Sequence, residues 1–168
     1  MTETVSLDDL VERDGLFYEI FTDVPFSGQV KGEWNGEIRE GTKEGKWTIY
    51  HENGQLSFKH HYKDGELDGL WELYHENGQL KSKGKFKDGK QDGLEESYYE
   101  NGQLKSKGHF KDGERDGLRE SYFENGQLER KENWKDGEQD GLWEHYDRNG
   151  QIDRIEHYKD GILIKKSD

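Results

Sequence analysis

Seven histidines, and a carboxylate that returns at Glu72, Glu96, Glu120 and Glu144, are the groups in this chain best equipped for chemistry. Metal binding would require the histidines to converge within about 2.0–2.1 Å of one ion. General acid–base catalysis would require a carboxylate within hydrogen-bond reach of a reacting proton. Spacing argues against both. His60 and His61 are neighbours, so on a strand they point to opposite faces. His51 and His75 share a repeat position and lie two strands apart, about 10 Å. The four glutamates are separated in the same way, and the expectation is that they pair with nearby bases or are solvated. No serine–histidine–acid or P-loop spacing occurs. The histidines read as surface residues; no catalytic, cofactor-binding or metal-binding residue is assigned, and no enzyme is expected.

Binding is the better reading of the remaining special residues. One position carries Trp47, Trp71, Glu95, Arg119 and Trp143 in successive copies of a 24-residue unit. The position two residues on carries Ile49, Leu73, Ser97, Ser121 and His145, and the next but one carries His51, His75, Tyr99, Phe123 and Asp147. Aromatics at variable positions of an otherwise uniform array form contact patches. Trp47, Ile49, Trp71, Leu73, Tyr99 and Phe123 are therefore the expected partner-binding residues. The acids Asp8, Asp9, Glu12 and Asp14 join them: residues 1–44 hold −7 of a formal net charge of −13. Such a surface repels nucleic acid and anionic lipid and attracts basic partners.

These residues must be positioned by a repeat. Asn-Gly-Gln falls at Asn53, Asn77, Asn101, Asn125 and Asn149, and Lys-Asp-Gly at Lys63, Lys87, Lys111, Lys135 and Lys159, both in steps of 24. Within one copy, Leu70–His75 and Leu80–Phe86 read as strands around an Asn-Gly turn, a strong hairpin signal. The Lys-Asp-Gly link is a second turn. The apolar positions Leu70, Tyr74, Leu80 and Phe86, with their counterparts, are all even-numbered. A three-residue Glu-Asn-Gly loop with a left-handed glycine would set Tyr74 opposite Leu80. If every turn keeps parity, the even set then forms one packed face and the odd positions the free one.

The predicted fold is all-β: a single elongated, twisted antiparallel meander of tandem 24-residue β-hairpins. Residues 1–13 form an N-terminal cap, with Ser6 and Asp9 bracketing a turn or two of helix that ends near Gly15. Residues 14–44 are a degenerate first repeat, 45–161 hold five repeats, and 162–168 give a capping strand whose Lys165 and Lys166 blunt its edge. Leu, Ile, Val and Phe make up only about a fifth of the chain and 38% is charged, a composition bordering on disorder. The strict period and 12% aromatic content point to order. A single copy buries too little to fold alone, so stacked copies must share the cost. There are no cysteines. No run approaches the roughly 18 apolar residues of a membrane span. The opening MTETVSLDDL lacks a positive start and an apolar run, so the expected location is the cytoplasm.

Text such as FKDGKQDGLEESYYENGQLKSKG resembles MORN repeats (membrane occupation and recognition nexus), in an aromatic, Lys-Asp-Gly, a glycine four residues on, a tyrosine and a second Asn-Gly. The 24-residue step is similar to the bacterial variant of that repeat. The lead-in DGLFYEIFTDVPFSGQV also resembles that of bacterial YwqK-type antitoxins of toxin–antitoxin systems. The resemblance implies an antitoxin or immunity protein that binds and neutralises a cognate protein toxin by direct contact. The acidic charge makes the expected toxin basic and argues against nucleic acid and membrane, and no cofactor is expected. The alternative it leaves is a non-enzymatic scaffold or adaptor holding several partners.

Overall fold

The computed structural model describes residues 3–167. They divide into two compact units, Met1–Gly78 with Phe86–Gly89, and Gln79–Lys85 with Lys90–Asp168. The first contains β1 (Thr4–Val5), β2 (Leu10–Arg13), β3 (Leu16–Glu19), β4 (Gly28–Val30), β5 (Trp34–Arg39), β6 (Thr42–Tyr50), β7 (Leu56–Lys63), β8 (Glu66–Leu67) and β9 (Gly69–Tyr74). From β4 onward these run as an antiparallel meander. Two departures from the predicted meander stand at its start: β1 joins β4 in parallel, and β2 and β3 form a separate hairpin.

The predicted N-terminal helix does not form. Ser6 and Asp9 do make a capping box, with the Ser6 amide donating to Asp9 Oδ2 at 3.0 Å. It closes only one 3-10 turn, Leu7–Asp9. The following residues are strand because Asp14-Gly15 is a tight turn, with φ of 51° and 78°, that folds Leu10–Arg13 onto Leu16–Glu19. Leu10 is thereby buried, in a core with Phe26, Val30, Ile38 and Trp47. Trp47 lies flat over Gly36, where a Cβ would come within 2.2 Å of the indole.

The second unit contains β10 (Leu80–Lys87) up to Lys85, its last two residues belonging to the first unit, and β11 (Lys90–Gln91), β12 (Gly93–Tyr98), β13 (Leu104–Lys111), β14 (Glu114–Tyr122), β15 (Leu128–Lys135), β16 (Glu138–Gln139), β17 (Gly141–Tyr146), β18 (Ile152–Lys159) and β19 (Ile162–Ser167). All of its pairings are antiparallel among the described residues. Its Lys-Asp-Gly links are two-residue turns: Asp112 and Gly113 both have positive φ, 52° and 90°, between Lys111 and its partner Glu114.

The Glu-Asn-Gly loops are as predicted. Tyr98 faces Leu104, the Tyr99 amide donates to the Gln103 carbonyl at 2.9 Å, and Gly102 is left-handed at φ 82°. The predicted packing face is wrong, and a bulge is the reason. Ser97 faces Ser106 but Tyr98 faces Leu104, which leaves Lys105 as an extra residue on the second strand. The same skip occurs at Ser57, Glu129 and Asp153. Past each bulge, odd residues of one strand face even residues of the next, as in Trp47 with His60 and Glu95 with Gly108. The even-numbered set therefore splits, Leu94, Tyr98 and Leu104 on one face and Phe110 on the other. Trp47, Trp71 and Trp143 are buried at 0%, 8% and 7% exposure, whereas Leu94, Leu118 and Leu142 stand 40–50% exposed.

Candidate protein-binding surface

Each copy builds its two faces from different chemistry. On the aromatic face of the first unit, Trp71 lies between Phe58 and Phe86, with ring centroids 6.2 and 6.3 Å away. In the second unit Trp143 lies between Trp134 and Tyr158, both at 5.2 Å. Where Glu95 and Arg119 replace tryptophan, the stack gives way to charge. Arg119 Nη1 sits 2.9 Å from Oε2 of the buried Glu132, which also accepts from Trp134 Nε1 at 3.3 Å.

The recurring glutamates lie on the other face, and each is engaged. Lys83 Nζ is 2.7 Å from Glu96 Oε2, and the Tyr98 hydroxyl donates to the same oxygen at 3.0 Å. Lys107, Glu120 and Tyr122 repeat this at 2.8 and 2.9 Å, and Lys59, Glu72 and Tyr74 do so in the first unit. The lysine hydrogen bonds hold the Glu96 and Glu120 carboxyls below the usual carboxylate range. They are fixed anions that brace neighbouring strands, with no proton to give near neutral pH.

Beside these braces runs a row of exposed leucines. In the second unit Leu94 is paired with His109, Leu118 with Asn133 and Leu142 with His157. Both histidines and all three leucines are exposed. Successive leucines are two strands apart, about 10 Å. Leu70 occupies the same position in the first unit and is 65% exposed. The sequence carries the signal for this row, since a leucine follows Gly69, Gly93, Gly117 and Gly141. The bulges turn these leucines out of the packed face to which even-numbered parity alone would assign them.

The predicted partner-binding residues scatter. Trp47 and Trp71 are corrected: both are packed inside the first unit and offer no surface to a partner. Ile49 and Leu73 share their face, each opposite Phe58, and are half-buried. Tyr99 and Phe123 sit at the Glu-Asn-Gly loops of the second unit. The Tyr99 hydroxyl donates to the Tyr122 carbonyl at 2.7 Å, and Arg148 lies over the Phe123 ring at 5.6 Å. Both help clip one loop to the next. Asp8, Asp9, Glu12 and Asp14 are exposed on the capping turn and the β2–β3 hairpin.

One histidine is also corrected. His60 is buried, with rings of Phe58 and Tyr62 at 4.6 and 4.8 Å, and no hydrogen-bond partner for either ring nitrogen. Burial, helped by Lys43 and His61, pushes its pKa down to about 4. Among the described residues no group of three or more histidines and acids is placed to hold a metal ion. No helix among them is long and apolar enough to cross a membrane.

A family model described as MORN repeat variant matches residues 43–64, 67–88, 91–112, 115–136 and 139–160. No curated protein matches the chain. Partial similarity is found to the crystal structure of accessory secretory protein 1, 2 and 3 in Streptococcus pneumoniae. There the identity is 17% over 76% of this chain and 21% of that chain, with a TM-score of 0.33. The crystal structure of the GtfA/B complex bound to UDP and GlcNAc gives 13% identity over 80% and 25%, with a TM-score of 0.28. The chain thus spans about a quarter or less of either.

Proposed function

The chain belongs to the MORN repeat variant family, and on that footing we propose that it is a non-enzymatic binding protein that neutralises a cognate bacterial toxin by direct contact. The observation that carries the binding half of this reading is the exposed row Leu94, Leu118 and Leu142, with His109 and His157 beside it. Apolar side chains recurring on a braced, hydrogen-bonded face give a rigid contact surface, which binds without an ordering cost. Its carboxylates are committed to lysine and tyrosine. The toxin half of the reading draws on the lead-in at residues 14–30 and the repeat wording, which resemble those of bacterial antitoxins. The acidic leading segment supports a basic toxin, since complementary charge speeds encounter.

Co-expression with the product of the adjacent gene tests this. That product should arrest growth alone and be harmless beside this protein. Replacing Leu94, Leu118 and Leu142 together with glutamate should abolish protection while the far-ultraviolet spectrum stays β. A product that is harmless alone, or lethal in both cases, ends the antitoxin reading.

The repetition of one contact motif in successive copies also favours a second reading, a scaffold that holds several partners along its face. Affinity capture with the leucine variant as control separates the two. One stoichiometric partner fits a neutraliser, and several unrelated partners lost together fit a scaffold.

A further inference from the structure

The five-residue loop after β3, Ile20 to Val24, displays more apolar surface than any function assigned so far requires. Phe21 is fully exposed, at 101%, with Ile20 at 46% and Val24 at 74% beside it. Phe21 also has φ 71°. The left-handed region is an outlier for a bulky aromatic residue, and such strain persists only where surroundings enforce it.

Here they do. The Thr22 amide and hydroxyl both donate to the Glu19 carbonyl at 3.2 Å. Arg13 Nη1 holds Asp23 Oδ1 at 3.0 Å, Arg13 Nη2 donates to the Thr22 carbonyl, and the guanidinium covers the Tyr18 ring at 4.2 Å. The loop closes on the Tyr18–Pro25 bridge and on Phe26, which is buried in the core. The chain thus holds an aromatic ring out in water on a braced and strained loop. That is how a binding hot spot is presented, with its ordering cost met before contact.

The charge around it identifies the partner's chemistry. Glu19 ends β3 just before the loop, Asp23 lies within it, and Glu12 and Asp14 follow on β2 and the β2–β3 turn; Arg13 is the one base among them, already paired with Asp23. Glu3 lies close enough to Glu19 to push its carboxyl above the usual range. These acids oppose an anionic lipid surface and suit cationic side chains.

We infer that Phe21 is the anchor of a protein interface, entering an apolar pocket on the partner that is rimmed by lysine and arginine. The inference rests on the toxin-binding reading and adds to the leucine row a second segment that engages the toxin. Calorimetric titration of the adjacent gene's purified product into wild type, Phe21→Gly and the triple leucine variant tests it. Phe21→Gly removes the ring and relieves the strain, so it should melt at or above the wild-type temperature. Its affinity should fall about 30-fold or more, the scale of an aromatic hot spot. Wild-type binding should weaken as salt rises from about 50 to 500 mM, with a Debye length near 10 Å at 0.1 M. Phe21→Gly binding as tightly as wild type overturns the inference and leaves the toxin-binding reading standing. No wild-type binding at all overturns both. Phe21-dependent cosedimentation with phosphatidylglycerol–phosphatidylcholine vesicles also overturns it, in favour of a lipid surface.

Discussion

His60 offers the sharpest test of the packing, because it is a titratable ring buried without a partner. It sits opposite Trp47, 4% exposed, with Phe58 and Tyr62 on its own strand. The charged groups near it, Lys43 and His61, both disfavour its protonation, and Lys43 is itself held below the usual lysine range by burial. Its pKa falls from 6.5 to about 4. Between these values the unfolded chain binds a proton that the folded chain refuses. Stability from this group is therefore fully present above pH 6.5 and lost as pH falls toward 4. The shift corresponds to about 3 kcal/mol. His60→Phe keeps the ring, matches its aromatic neighbours and removes two unpartnered nitrogens, so its stability at pH 7.5 should equal or exceed that of wild type. Urea unfolding, followed by tryptophan fluorescence from pH 7.5 to 4, measures both. Every carboxylate contributes to acid destabilisation in both proteins and cancels in the comparison. The wild type should lose about 3 kcal/mol more than the variant over that range. Parallel stability curves would refute the burial of an unpaired, neutral His60.

The register makes a second prediction: Trp71→Ala should cost about 3–5 kcal/mol in chemical denaturation, and Leu70→Ala about 1 kcal/mol or less. A reversal would restore the parity that the bulges remove. Gly36→Ala should lower stability by about 1–3 kcal/mol, as its Cβ would meet the Trp47 indole at 2.2 Å; thermal melting checks it. Converting Asp8, Asp9, Glu12 and Asp14 to their amides should slow association with the adjacent gene's product several-fold at low salt and leave dissociation nearly unchanged, as read by surface plasmon resonance.

Much of this protein is legible in one pass along the chain, because turns are local. Asn-Gly and Asp-Gly recur at a fixed step, and each demands left-handed backbone that few other residues accept. The three-residue loops, the facing of Tyr98 and Leu104, and the strands between turns follow from that chemistry. The lysine partners of the recurring glutamates were also foreseeable in kind. Asp14-Gly15 carries the same turn signal, and it folds the residues before it into a hairpin strand where a helix ending near Gly15 was expected.

The assignment of faces was another matter. A strand's side chains alternate strictly, so one extra backbone residue moves everything beyond it to the opposite side. Lys105, Ser57, Glu129 and Asp153 are those extra residues. Nothing in their side chains marks them, since a bulge is a property of how two strands pair. Only pairing put Trp71 inside and Leu70 in water, buried His60 beside Trp47, and set Arg119 against Glu132. The exposure of Phe21 is of the same kind: Arg13 holds its loop at Asp23 and the Thr22 carbonyl, contacts that tertiary structure alone brings together.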